Sequence, residues 1–342
     1  MVKKTIIGFS ILLIILVLLT FNIYNYMATV HCSNYNRIDF ILDWVPNTNH
    51  TGIYVAKKLG YFKDVNLDVR IIQPPEDSST ALVGAGKAQL GISFQDSLAL
   101  AFSSQTPVPV TAVSAILQHN TGGILVPKKS NVLRIKDLEN KTYASWNNPI
   151  EQAMLKHSIK KCGGNFDKVN VVPYTVTDVI SAFSTNIDAV YSYYGLDYIS
   201  AQVKGIETNF FDFRQIEDAF DFYAPVIIAN NNYMQSNPQQ IRDFLLAVEK
   251  GYNYAIKYPD SAAEILLDEC FELDRNITIA SQRWISSKYK SDAKNWGEIN
   301  ETRWNKFYSW LYDKEIIKYK IPDSFGFCND YLTKGDQGDE LK

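Results

Sequence analysis

The sequence predicts an α/β protein with two doubly wound lobes joined by a hinge and a block of C-terminal helices. Three observations predict it. Short apolar runs alternate with amphipathic helical segments from residue 37 to about 124. A second alternating block occupies about 125–223, and from Pro238 onward the pattern is nearly all helical. Strands alternating with helices build sheets covered by helices. The body from 37 to 332 is nearly 300 residues long, enough for two cores.

Each element can be justified in order. Strand-like runs cover 38–44, 67–73, 89–94 and 108–117, with helices over 51–61, 78–87 and 96–104 between them. This βαβαβ rhythm predicts a parallel sheet. Gly122 and Gly123 then interrupt the pattern before 124–127, which suggests a crossover. In the second block, strands are expected at 141–146, 169–173 and 188–193, and helices at 149–162, 177–183 and 196–204. Pro149 suits a helix start, where its missing N–H costs nothing. The apolar run 225–229 is a natural return crossover. Helices follow at 239–258, 261–271, 278–288 and 299–314. Their apolar faces have helical spacing, as in Phe244, Ala247, Val248, Gly251 and Ala255. The division is therefore 37–124 plus 224–333 for lobe 1 and 125–223 for lobe 2.

The ends read differently. Lys3 and Lys4 precede an almost continuously apolar stretch, 6–21. That suits a secretory signal, or an uncleaved anchor if the span runs on to Tyr26. The lysines favour a cytoplasmic N-terminus and an exported body. Cys32 stands where a lipidated cysteine would, although His31 before it is not the small residue such sites usually carry. Residues 1–36 are thus a signal, lipoprotein or membrane-anchor segment. The polar stretch 334–342 reads as a disordered tail.

A net charge of −3 with no basic stripe argues against nucleic acid as a partner. The aromatic content, 13% with 21 Tyr, suits pockets that are apolar at one end and wet at the other, although most of these rings would fill cores. Beyond Cys32, the cysteines are Cys162, Cys270 and Cys328, spaced unlike any zinc motif. A Cys270–Cys328 bridge is open to an exported chain. No cofactor is expected.

An exported chain of two wound lobes points to a hinged binding protein closing around a ligand, with the pocket between the lobes. Ligands of open α/β sheets sit at the carboxyl ends of strands. The richest such loop is Asp43-Trp44-Val45-Pro46-Asn47-Thr48-Asn49-His50, which crowds a carboxylate, an indole, carboxamides and an imidazole between a strand and a helix. Its other reading is a capped turn stiffened by Pro46. Further strand-end loops carry Glu76 and Asp77; Phe94, Gln95 and Asp96; Gln118 and His119; and Trp146, Pro149 and Glu151. Glu76, Asp77 and Asp96 read first as helix caps. Glu151 suits the dipole of its helix as well as a ligand. Trp44 and Trp146 are either core lids or stacking platforms, and the platform is the preferred reading. Strand alternation puts Tyr191 and Tyr193 on one face and Tyr194 on the other. An aromatic cleft rimmed by amides and carboxylates suits a flat, nitrogen-rich heterocycle rather than an inorganic anion. The motifs of serine hydrolases, zinc proteases and P-loop enzymes are absent.

Several separated motifs carry a family resemblance: Asp43-Trp44-x-Pro46-Asn47-x-x-His50, Gly60-Tyr61-Phe62, Ile72-Gln73-Pro74-Pro75-Glu76-Asp77, Gly91-Ile92-Ser93-Phe94-Gln95, Ile116-Leu117-Gln118-His119-Asn120, Pro149-Ile150-Glu151 and Ser281-Gln282-Arg283-Trp284. Over about 38–311 the chain resembles the thiamine-pyrimidine-precursor (formylaminopyrimidine) binding family. The resemblance implies a type II periplasmic-binding-protein-like fold and a substrate-binding component of an ABC importer. Such a protein is a monomer that delivers its heterocycle to permease and ATPase subunits from the outer face of the cell membrane. Other family members bind other heterocycles, such as flavins, and eukaryotic members synthesise the pyrimidine. Those enzymes carry a Lys and a His where this chain has Ser93 and Ser97, and their Cys-rich iron motif is absent, so binding rather than synthesis is implied. The expected ligand contacts are Asp43, Trp44, Asn47, His50, Phe94, Gln95, Gln118, His119, Trp146, Pro149, Glu151, Tyr191 and Tyr193. The tyrosine stretch departs from the Trp-containing pattern of many members.

Overall fold

The structure is a computed structural model that describes residues 35–74, 78–174, 176 and 178–333. The expectations for the export segment with Cys32, for Glu76 and Asp77, and for the tail 334–342 lie outside the described residues.

Among the described residues, ten strands form two five-stranded sheets. In the first, β1 (Asn36–Ile41), β2 (Leu67–Ile72), β3 (Leu90–Ser93), β4 (Val110–Ala115) and β10 (Val226–Asn230) run in the order β2-β1-β3-β10-β4. In the second, β5 (Gly122–Pro127), β6 (Thr142–Ser145), β7 (Asn170–Pro173), β8 (Ala189–Tyr193) and β9 (Thr208–Asp212) run in the order β7-β6-β8-β5-β9. The parallel sheet expected from the rhythm is corrected to a mixed one. β1 pairs parallel with β3, but β10 lies antiparallel between β3 and β4. Likewise β5 is antiparallel to both β8 and β9, while β6 is parallel to β7 and β8. The reason is connectivity. β5 and β10 are the strands by which the chain enters each sheet from the other, so each arrives in the opposite sense.

Gly122 and Gly123 are therefore the first residues of a central strand rather than an interruption. Their size is required there. A Cβ on Gly122 would lie 2.5 Å from the Tyr191 hydroxyl, and one on Gly123 would lie 2.4 Å from the Phe211 carbonyl oxygen. The two crossover segments run side by side. The Ile116 N–H donates to the Pro225 carbonyl at 3.0 Å, and Asn120 Nδ2 donates to the Phe220 carbonyl at 2.9 Å.

Helices cover the sheets: α1 (Thr51–Lys58), α2 (Ser79–Gly84), α3 (Gln95–Phe102), α4 (Pro149–Lys161), α5 (Val179–Phe183) and α6 (Ile199–Val203). The C-terminal block is α7 (Pro238–Lys257), α8 (Pro259–Glu269), α9 (Arg275–Ile285) and α10 (Glu301–Asp313). α7 buries Ile241, Phe244, Leu245, Val248, Gly251, Tyr252 and Ala255, a stripe of helical period. Phe244 stacks on Phe62 at 5.4 Å, and Tyr252 sends its hydroxyl to the Asn49 carbonyl at 2.6 Å. α10 packs on the crossover, with Phe307 stacked on Phe222 at 4.1 Å. α9 touches both halves. Ser281 meets the Thr48 hydroxyl at 2.6 Å and donates to the Gly195 carbonyl, while Trp284 stacks on Tyr194 at 4.8 Å. The Cys270–Cys328 bridge does not form: both are free thiols, Cys270 buried in the core cluster with residues of α1 and α7, and Cys328 tied to β4 by its N–H to the Ala112 carbonyl at 2.9 Å. No helix among the described residues is long and apolar enough to cross a membrane.

Candidate ligand-binding site

A cavity of about 190 Å³ opens between the carboxyl ends of the two sheets. From the first sheet it takes Asp43, Trp44, Asn47 and Asn49 of the loop after β1, and Phe94, Asp96 and Ser97 at the start of α3. From the second it takes Trp146, Asn148, Glu151 and Met154 around the start of α4, then Val176, Val179, Tyr191, Tyr193, Leu196 and Asp197. Its wall is aromatic and acidic, with no Lys, Arg or His among the described residues.

The loop after β1 is built to hold Asp43. The Asn47 N–H donates to His50 Nδ1 at 3.2 Å, which leaves the imidazole proton on Nε2. Nε2–H then donates to Asp43 Oδ1 at 2.8 Å, with His50 fully buried. His50 thus orients the carboxylate from behind and does not line the cavity, which corrects its expected ligand contact. Asn47 borders the cavity, but its carboxamide is engaged by the Asn49 N–H at 2.9 Å and the Val45 carbonyl at 3.0 Å. The capped turn and the candidate site are therefore the same loop.

Glu151 sits in the first turn of α4 and is buried. It accepts hydrogen bonds from the Tyr143 hydroxyl, from the Trp146 N–H at 3.0 Å and from the Ser145 hydroxyl at 3.4 Å. Burial raises its carboxyl above the usual range against the pull of those donors. Across the mouth, the Trp44 and Trp146 rings approach to 5.6 Å. At 37% and 40% exposure, they form a half-open aromatic gate rather than a core lid. Deeper in, Phe94 lies nearly parallel to Tyr193 at 6.0 Å, and Tyr191 meets Tyr193 edge-on at 5.4 Å. Tyr194 points away and packs on Trp284, as strand alternation requires.

Besides His50, four expected contacts lie elsewhere, each for an identifiable reason. Gln95 is fully buried. Its amide donates to the Trp304 carbonyl at 2.8 Å and accepts the Tyr223 N–H at 2.9 Å, so it fastens α3 to the crossover and α10. Gln118 donates to the Glu298 carbonyl at 3.0 Å. His119 lies between Asp221 at 2.7 Å and Asp292 at 2.9 Å. Pro149 occupies the first turn of α4, outside the cavity wall.

Two carboxylates were missed as site residues. Asp96 reads in the sequence as a first-turn cap, yet its Oδ1 is buried at the cavity without a hydrogen-bond partner. Burial pushes its pKa up to about 6, against the Ser97 N–H. Asp197 follows a strand end in a turn of π-helix, Tyr194–Tyr198, and accepts the Tyr193 N–H at 3.1 Å. Burial raises it likewise to about 6. For Asp197 the usable signal was its position four residues past Tyr193.

The paired sheets, the double crossover and the intervening cavity define a periplasmic-binding-protein fold. The alkanesulfonate-binding protein SsuA from Xanthomonas axonopodis pv. citri, solved bound to MOPS, superimposes with a TM-score of 0.67 at 11% identity, covering 85% of this chain and 98% of its own. The chain belongs to the family described as NMT1/THI5 like, which it matches over residues 47–262. It is 25% identical to the formylaminopyrimidine-binding protein of Halalkalibacterium halodurans over 306 residues, 86% of this chain and 90% of that one. It is 24% identical to a 4-amino-5-hydroxymethyl-2-methylpyrimidine phosphate synthase of Saccharomyces cerevisiae over 284 residues, 77% of this chain and 81% of the enzyme.

Proposed function

We propose that the chain is the solute-binding component of an ABC importer, capturing a thiamine-precursor aminopyrimidine of the formylaminopyrimidine type between its two lobes. Glu151 carries the reading. It is a fixed, buried carboxylate in a small aromatic cavity, placed to accept the N–H groups of an aminopyrimidine edge. The cavity lies below the roughly 300–1,000 Å³ of sites that take drug-sized ligands, which favours a single ring over a flavin. The relative from Halalkalibacterium halodurans bears the name of such a binder.

The lobes, 37–124 plus 224–333 and 125–223, would hinge at the paired crossover segments, which is how this fold closes on ligands. The proposed protein is a monomer held at the outer face of the membrane by its N-terminal segment or by lipid on Cys32, and it hands its ligand to permease and ATPase subunits.

The proposed role is binding without catalysis. Ser93, at a position where the resembled enzymes carry a reactive side chain, bonds to the Thr80 hydroxyl at 2.7 Å. Ser97, at the other such position, lines a cavity that has, among the described residues, no Lys, His or Cys to serve as nucleophile or base. Isothermal titration with formylaminopyrimidine and with riboflavin tests the reading. One site for the pyrimidine and no heat with riboflavin is the expected result. Riboflavin binding alone, or no binding by either compound, would overturn it.

A further inference from the structure

We infer that the ligand carries a protonated amine, and that Asp96 is the residue that selects for it. This rests on the aminopyrimidine reading and deepens it: the preferred ligand is an aminopyrimidine whose side arm ends in a primary ammonium, not the neutral N-formyl form.

Among the described residues, four carboxyl groups, Asp43, Asp96, Glu151 and Asp197, face one cavity with no basic side chain on its wall. Three of them have partners within the protein. Asp43 is held by His50, Glu151 by Tyr143 and Trp146, and Asp197 by the Tyr193 N–H. Asp96 differs, because its Oδ1 is shut off from solvent and meets no donor. A buried acceptor left without a partner costs free energy, most of all when it is ionised. Among the described residues its surroundings supply no cation. The phenols of Tyr191, Tyr193 and Tyr308 lie within its electrostatic reach, and Tyr308 donates its own proton to the Gln95 carbonyl at 3.2 Å.

Asp96 and Glu151 stand on opposite lobes, one at the head of α3 and the other at the head of α4. Both line the same cavity, and the proposed arrangement sets the ring edge on Glu151 and the side arm toward Asp96. A rotation of the Asp96 side chain would turn its carboxylate to an ammonium there, making a charge-assisted hydrogen bond that offsets the negative field of the cavity. A formyl group instead turns a carbonyl oxygen, another acceptor, toward a wall of carboxylates. The sulfonate-binding neighbour has the same fold, so the fold does not set the sign of the ligand charge; the side chains of the cavity do.

The test compares three aminopyrimidines by isothermal titration at pH 7.5: formylaminopyrimidine, the primary amine left when its formyl group is hydrolysed, and the primary alcohol of the same size as that amine. The expected result is that the amine binds at least tenfold more tightly than the other two. In Asp96→Asn, its affinity should fall at least tenfold more than that of the N-formyl compound. Equal or tighter binding of the N-formyl compound or the alcohol by the wild type overturns the inference and leaves the proposed function standing. No binding by any of the three overturns both. The wild-type ranking decides the question even if the variant does not fold.

Discussion

Asp96 and Glu151 feel the same low-dielectric cavity against different local backgrounds. Glu151 has donors on both oxygens, whereas Asp96 Oδ1 has none. In Asp96 the carboxyl is raised from 3.8 to about 6, so its ionised form is disfavoured by folding. The cost is therefore full above about pH 6 and fades as pH falls toward 3.8, where the unfolded chain also takes up the proton. Asp96→Asn should then stabilise the ligand-free protein by about 1–3 kcal/mol at pH 7.5 and by almost nothing near pH 4. Urea unfolding at the two pH values checks this, and an equal effect at both would remove the burial penalty from the account. Trp44→Ala should weaken aminopyrimidine binding by about 1–3 kcal/mol while leaving urea unfolding unchanged, because the ring is half-exposed and faces ligand space. Unchanged affinity would make the indole a gate without a stacking role. The residues legible in the sequence were those whose chemistry is odd for their position, such as the indoles Trp44 and Trp146 on strand-end loops. Asp96 was hidden because a carboxylate in a first helical turn is ordinary there, and only the tertiary burial of Oδ1 sets it apart.

At the scale of elements, strand and helix existence followed from hydrophobic period, and boundaries fell within a few residues. β9 was not read, since Thr208-Asn209-Phe210-Phe211-Asp212 shows no alternation of the usual kind and takes its place by pairing with β5. The antiparallel insertion of β10 and β5 is likewise set by where the chain comes from, which local pattern does not carry. Gln95, Gln118 and His119 were misplaced for a related reason. Their partners Trp304, Glu298 and Asp292 lie far along the chain in the C-terminal block. The contact of α7 with α1 depends on two small residues. A Cβ on Gly251 would stand 2.0 Å from the Gly52 carbonyl oxygen, and one on Gly52 would stand 2.4 Å from the Tyr252 ring. Backbone cannot yield as a flexible side chain does. Gly251→Ala should accordingly destabilise the protein by about 1–3 kcal/mol, measured as a lower urea midpoint at unchanged slope. A neutral effect would show that the two helices separate freely.

For the whole molecule, the cavity belongs to neither sheet alone. Trp44 and Asp96 come from the first and Trp146, Glu151 and Tyr193 from the second, while α9 bonds to both through Ser281. A ligand bridging them binds the folded, closed chain and not the unfolded one. Saturation at about 100 times Kd should therefore add roughly 2.7 kcal/mol and raise the melting temperature. Thermal unfolding with and without the aminopyrimidine measures the gain, and an unmoved midpoint at saturation would contradict preferential binding to the folded state. The most direct measurement is a diffraction structure of the protein grown with an aminopyrimidine. The expected result is the ring in the cavity behind the Trp44 and Trp146 gate, stacked against one of the two indoles, with its amino group on the Glu151 carboxylate. A saturated protein with the ring bound elsewhere, or turned so that Glu151 meets no N–H, would contradict it.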